Sequence, residues 1–342
     1  MYASLSIVPS LPVELTGTIL LTQSDVSKLL TIEECINGVE KAFRSHAEGN
    51  IAPPHVLGMH VDNGGFHIKA GIAERYFVAK LNANFPLNQK EYGIPTIQGV
   101  VIVCDAKNGK LLALIDSIEI TIIRTGAATA LAAKYLSLPG SNTATICGCG
   151  NQGRISVTAL KAVRPLERVF AYDIDEAQIT KFSAEFNKVV EVIPTTAKDL
   201  KAALKQSQLC ITCTPSKQPF IQADDIVPGT FIGAVGADSE SKQELSAALL
   251  SKSKLVVDLL AQSSKIGELH HALQQGALEL SGVHAELGQI ISGKKPGRES
   301  PDEIIVFDST GTALQDVAAA AIVYEKALAG GTGQKLNFGP PN

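Results

Sequence analysis

The chain has 342 residues, 45% hydrophobic and 19% charged, with a formal net charge of −4 and a pI near 6.0. That length suits one large domain or two ordinary ones, and the mild acidity argues against nucleic-acid or anionic-membrane partners, which favour basic patches. The longest apolar run, VAAAAIVY, falls far short of the roughly 20 residues that cross a bilayer. Six irregularly spaced cysteines in a chain this long do not make a disulfide framework, so a cytoplasmic setting is expected.

In chain order, MYASLSIVPSLPVELTG lacks the basic start of a signal peptide and reads as an extended leader, with the fold beginning near Thr18. Residues 22–45 have a helical pattern, with Ser24 or Thr31 as N-cap and Gly49 as a stop. Residues 66–115 alternate in strand fashion, and DAKNGK marks a hairpin turned at Asn108-Gly109. Residues 121–136, TIIRTGAATALAAKYL, predict a helix. From Thr143 the rhythm becomes strand, helix, strand, helix, with strands at TATICGCG, RVFAYDI, VVEVIPT, QLCITCT, TFIGAVG, KLVVDLL and EIIVFDSTG. Such alternation predicts an α/β fold with a doubly wound parallel sheet, a Rossmann arrangement. The last helix, ALQDVAAAAIVYEKALAG, belongs to neither the strand rhythm nor a tail. It is expected to cross back and make the first domain discontinuous: 18–135 with 312–336, around a Rossmann domain of 136–311.

Within ICGCGNQG the spacing Gly148-x-Gly150-x-x-Gly153 follows a strand and opens a helix, the context in which a dinucleotide fingerprint has meaning. Gly148 would permit the tight turn, Gly150 the approach of backbone to a pyrophosphate, and Gly153 close helix packing, with the helix N-terminus facing the anion. Asp173 ends the next strand a little over 20 residues on, placed to accept from ribose hydroxyls. With no Arg or Lys beside it for a 2′-phosphate, NAD is favoured over NADP; the alternative for Asp173 is a simple helix cap. Cys147, Cys149, Cys210 and Cys213 could form a four-sulfur set, but a metal there would compete with the pyrophosphate. Buried packing is the preferred reading and no metal is expected.

The segments VEKAFRSHAEG, VAKLNANFPLN, GIPTIQGVV, RTGAATALAAKYL, GADSESKQEL and FDSTGTALQDVAAAAIVYEKAL together resemble the ornithine cyclodeaminase/mu-crystallin family, which includes archaeal-type alanine dehydrogenases and ketimine reductases. The resemblance runs from about residue 18 to 336. It implies a Rossmann domain beside a discontinuous α+β domain that binds substrate and dimerises through its strands. By matching motifs it implies that Lys80 moves a proton at the substrate's Cα nitrogen or carbonyl, that Arg124 holds a substrate carboxylate, and that Asp238 stabilises a cationic amine or iminium. It also implies cofactor contacts from Asn151, Gln152, Thr96, Thr214, Val235, Lys242 and Ser309, and a site-proximal role or a surface one for Arg44.

One position departs from the family pattern. Where many members carry a strand arginine, this chain has GGFHIKAG. His67 and Lys69 share a strand face and could both line the substrate pocket, although a packed histidine is an equal reading of His67. The sequence thus points to an NAD-dependent oxidoreductase acting at the Cα–N bond of a small amino acid or its imine, in a homodimer. A cyclodeaminase with no net redox and a non-catalytic crystallin-like binder are the alternatives.

Overall fold

The computed structural model describes residues 17–338, so the leader expected before them lies outside the described residues. The helix expected over 22–45 is two helices, Gln23–Leu29 and Ile32–Ala47. Thr22 and Thr31 are each followed three residues later by an acid, Asp25 and Glu34, and both pairs close capping boxes. Two start signals nine residues apart therefore break the pattern, and Ser24 lies inside the first helix. Gly49, at φ +83°, follows the second.

The first part of the chain holds six strands, one before these helices and five after: β1 (Thr18–Leu21), β2 (His55–Val61), β3 (Gly64–Ala73), β4 (Tyr76–Asn84), β5 (Ile97–Asp105) and β6 (Leu111–Asp116). The Rossmann part supplies β7 (Thr143–Cys147), β8 (Arg168–Tyr172), β9 (Glu191–Thr195), β10 (Leu209–Thr212), β11 (Phe231–Ala234), β12 (Lys254–Val257), β13 (Ala285–Glu286) and β14 (Ile305–Asp308), and β15 (Gln334–Leu336) closes the series. Among the described residues they form two sheets, ordered β15-β1-β6-β5-β4-β3-β2 and β13-β12-β14-β11-β10-β7-β8-β9.

The first sheet is antiparallel from β2 to β6, with β1 running parallel to β6. Asp105 and Gly109 close the β5–β6 turn, where Gly109 sits at φ +76° and its N–H donates to the Asp105 carbonyl. β2 is a strand that sequence reading does not reveal. All seven of its residues are exposed, so no buried alternation marks it.

The second sheet is parallel throughout, and β7 and β10 are buried at every position, as strands covered on both faces require. Strand order reverses at β7, between β8 and β10. The crevice at these carboxyl ends is where doubly wound sheets take ligands. Two helices join the halves. Helix Ser117–Leu136 is buried along most of its length and touches both β5 and β11; helix Ala313–Gly330 leaves the end of β14 and packs on β3 and β4. All six cysteines are free, and Cys147 and Cys210 lie buried on the neighbouring strands β7 and β10.

Candidate active site

The glycine loop has the geometry that a dinucleotide needs. Gly148 holds φ +106°, a conformation open to glycine, and a Cβ there would lie 2.9 Å from the Cys213 carbonyl oxygen. At Gly153 a Cβ would fall 1.9 Å from the Gly148 carbonyl oxygen, so helix and loop meet at a distance that only glycine allows. Gly150 faces open space, and as N-cap of helix Asn151–Lys161 it offers no side chain to the first-turn N–H groups. Those donors and the helix dipole suit a phosphate. Asp173 is fixed by the loop itself: Oδ2 accepts from the Cys149 N–H at 2.7 Å and Oδ1 from the Asp175 N–H at 3.0 Å. The residues present fit a bound dinucleotide.

A second cluster is built by β3, β4 and the two shared helices. Lys80 stands directly opposite Lys69 across the β3–β4 ladder, and His67 opposite Asn82, so these four side chains share a face. The Lys80 ammonium lies 2.7 Å from Asp316 Oδ1 and 3.3 Å from the Thr121 hydroxyl, with 2% of the residue exposed. Arg124, on helix Ser117–Leu136, places Nε 3.2 Å from the same Asp316 oxygen, and its Nη1 donates to Gln315 Oε1 at 2.6 Å. Lys69 Nζ donates to the carbonyls of Thr310 (3.0 Å) and Gly311 (2.6 Å), in the turn between β14 and helix Ala313–Gly330.

Two cations, Lys80 and Arg124, therefore contact one carboxylate, with Lys69 close by. Burial, reinforced by Arg124 and Lys69 and opposed by Asp316, brings the Lys80 ammonium down to about 7. Burial also works against a charged Asp316, but Lys80 and Arg124 outweigh it and hold that carboxyl below its usual range. Asp316 Oδ2, Gln315 Nε2, Arg124 Nε, Asn82 Oδ1 and Thr312 Oγ1 are buried without a hydrogen-bond partner in the protein, the pattern of a site shaped for a polar ligand, and Gln152 Oε1 is likewise unpartnered on the helix that follows the glycine loop.

The Rossmann sheet presents the opposite wall. Asp238, after β11, pairs with Lys242 at 2.6 Å. Half of its side chain is exposed, and the partial desolvation that opposes its charge is outweighed by Lys242, Lys69 and His67, which keep its carboxyl below the ordinary value. Conversely, burial lowers His67 while Asp238 pulls it up, with Lys69, His60 and Lys242 also pressing it down. Asp238, His67 and Lys69 are thus near enough to perturb one another's charge. The Thr214 N–H and hydroxyl donate to Glu244 at 2.6 and 2.7 Å, and the Gly236 N–H donates to the other oxygen of that carboxylate at 3.0 Å. Val235 and Ser309 continue β11 and β14 through N–H bonds to Thr212 and Ala234. Thr96 precedes β5 and accepts the Phe85 N–H.

Arg44 is not brought to this cluster. It sits 3.5 Å from Glu40, which also accepts from Lys134 and Tyr135, ten residues or about 15 Å along the helix from Arg124. Sequence reading missed Asp316, Gln315 and Thr121. For Asp316 a signal existed: a lone acid facing an alanine-rich helix surface is rarely buried unless paired.

A dinucleotide loop at a sheet's switch point, facing a buried lysine, arginine and carboxylate on a second domain, defines a nicotinamide-dependent oxidoreductase. The chain belongs to the ornithine cyclodeaminase/mu-crystallin family, whose model matches residues 16–331. It is 37% identical over 321 residues to the alanine dehydrogenase of Archaeoglobus fulgidus, covering 94% of this chain and 98% of that one. An archaeal alanine dehydrogenase dimer solved with bound NAD is 36% identical, with a TM-score of 0.90 over 94% of this chain and all of that one. The Δ1-pyrroline-2-carboxylate reductase of Thermococcus litoralis, solved with NADH and L-proline, is 32% identical, with a TM-score of 0.88 over 93% of this chain and all of that one. No helix among the described residues is long and apolar enough to cross a membrane.

Proposed function

We propose that the protein is an NAD-dependent oxidoreductase acting at the Cα–N bond of a small amino acid or the corresponding imine, an imine reductase or an amino-acid dehydrogenase. The observation that carries this reading is the buried Lys80, brought to about 7 beside Arg124 and Asp316. A lysine that exchanges its proton near neutrality suits general acid–base work. The excess of positive charge around the buried Lys80 and Arg124 calls for an anion, and a substrate carboxylate supplies one. Arg124 has Nη1 bonded to Gln315 and Nε in ion-pair contact with Asp316 without a hydrogen bond, which leaves Nη2 for that carboxylate. Lys69, held by two carbonyls, adds potential without direct grip, while His67 and Asp238 flank the substrate from opposite walls. When bound, the nicotinamide supplies hydride exchange at Cα. Lys80 then gives a proton to the substrate nitrogen or takes it back.

The chain is read as two domains, 18–135 with 312–336 and 136–311, because β1 and β15 share the first sheet. It is read as a cytoplasmic homodimer. β2 is an edge strand that exposes Leu57, Met59 and Val61 on one face, an apolar edge soluble proteins ordinarily cover. A monomeric mass by light scattering would contradict this assembly.

The test offers NADH with Δ1-pyrroline-2-carboxylate, or with pyruvate and ammonia, and NAD⁺ with alanine, ornithine and lysine, following absorbance and released ammonia. Nicotinamide change in step with substrate is expected. Proline or pipecolate formed from ornithine or lysine with no net NADH would make the protein a cyclodeaminase instead. Cofactor binding without any turnover would make it a crystallin-like binder.

A further inference from the structure

We propose that Asp316 is a positioning residue that sets both the orientation and the proton affinity of Lys80 and couples it to Arg124. The inference rests on the reading of Lys80 as the group that moves the proton. Asp316 Oδ1 contacts both cations, Lys80 Nζ at 2.7 Å and Arg124 Nε at 3.2 Å, while Oδ2 is buried without a partner. The carboxylate is fully buried in the first turn of helix Ala313–Gly330, where the helix dipole favours a negative charge.

The turn that delivers it is held from both domains. The Gly311 N–H donates to Asp258 Oδ2 at 2.7 Å on the Rossmann side, and Lys69 takes the Thr310 and Gly311 carbonyls from β3. Gly311 itself, at φ +75°, packs so close to Arg124 that a Cβ would lie 2.7 Å from Nη1. Asp316 therefore cannot drift without moving both cations.

The charged groups around the pair are few. Lys69 from β3 and Arg124 from helix Ser117–Leu136 both disfavour a proton on Lys80. Cys35, from helix Ile32–Ala47, is pushed by burial to about 12 and stays neutral. Asp238 and Asp258 act on Lys69 from the Rossmann wall. Thr121 and Gln315 are uncharged. Among the described residues Asp316 is the one carboxylate in contact with Lys80, so it alone opposes two neighbouring cations and desolvation.

Lysine Cε NMR on the full-length ¹³C-labelled protein, with and without NADH, reads the Lys80 titration directly; Lys80→Arg assigns the signal. Asp316→Asn, which keeps shape but loses charge, is expected to lower the midpoint by about one pH unit or more. Where a substrate turns over, the high-pH limb of imine reduction is expected to move down equally. At pH 8 kcat should then fall about tenfold, with KM for NADH unchanged. Asp316→Glu keeps the charge but displaces it, so the midpoint is expected to stay within about half a unit while kcat falls. An unchanged midpoint in Asp316→Asn would overturn the inference. Should that variant not fold, a midpoint in Asp316→Glu lowered as though the charge were absent would do the same. A midpoint that follows Asp316 in a protein that turns over no amino or imino acid would keep the inference and remove the functional reading instead.

Discussion

Lys69 and Lys80 face each other directly across β3 and β4, a like-charge pair of the kind antiparallel sheets ordinarily avoid. The pair is tolerated because each ammonium leaves the ladder in a different direction. Lys69 reaches the carbonyls of the turn that follows β14, and Lys80 reaches Asp316 in the first turn of the helix that comes next. The two ammoniums thereby form a positive cluster in which burial and the neighbouring cations bring Lys80 down to about 7.

Lys80→Ala is expected to lower kcat by about 100-fold or more while NADH still binds, because the proton donor is lost and the glycine loop is untouched. Steady-state kinetics on the imine or amino acid that turns over, with NADH fluorescence for binding, checks both halves. Near-normal turnover would end the catalytic role of Lys80.

Lys69→Met should act on Lys80 in the direction opposite to loss of Asp316. Removing a neighbouring cation raises the Lys80 midpoint, by a few tenths of a unit to about one. Loss of two bonds to the 310–311 turn should lower the melting temperature by a few degrees, about 1 kcal/mol per bond. The Lys80 titration and thermal unfolding measure these separately.

Asp173→Ala is expected to weaken NAD binding about tenfold, roughly 1.4 kcal/mol, through loss of the ribose acceptor. Because Asp173 also anchors the Cys149 N–H, Asp173→Asn should recover part of the loss. Isothermal titration with NAD⁺ reads both variants, and wild-type affinity in Asp173→Ala would remove the residue from the cofactor site.

Stability should fall as pH rises through the neutral range. Burial lifts the Asp308 carboxyl from 3.8 to about 8 and Glu244 from 4.5 to about 7. Between pH 4 and those values the folded chain keeps protons that the unfolded chain has released, so unfolding becomes easier with increasing pH. Asp308→Asn, which can still accept the Leu269 N–H, should flatten the slope between pH 5 and 8. Chemical denaturation across that window decides; a slope identical in variant and wild type would contradict the assignment to Asp308.

Much of this was legible in the sequence because it depends on local patterns. The apolar strands 143–147, 168–172 and 209–212 and the glycines at 148, 150 and 153 carry their own context, and the alternation of strand and helix fixes a parallel sheet. β2 was not legible, since an exposed edge strand has no buried face to imprint a period of two. The break at Leu30 was readable from Thr31 and Glu34 but is masked by a helical pattern that continues across it. The carbonyl partners of Lys69 and the carboxylate partner of Lys80 lie more than 230 residues away in sequence, and only the return of helix Ala313–Gly330 onto β3 and β4 brings them together. Face sharing by His67 and Lys69 followed from alternation. The turn of the Lys69 side chain toward backbone carbonyls depends on tertiary packing alone.

The measurement that bears most directly on the central claim follows a hydride. The protein would be given NADH deuterated at C4 with Δ1-pyrroline-2-carboxylate, or with pyruvate and ammonia, and the products examined by mass spectrometry. The account predicts proline or alanine carrying one deuterium at Cα, in step with oxidised cofactor. Unlabelled amino acid, or NADH left intact with every imine and oxo acid offered, would contradict it.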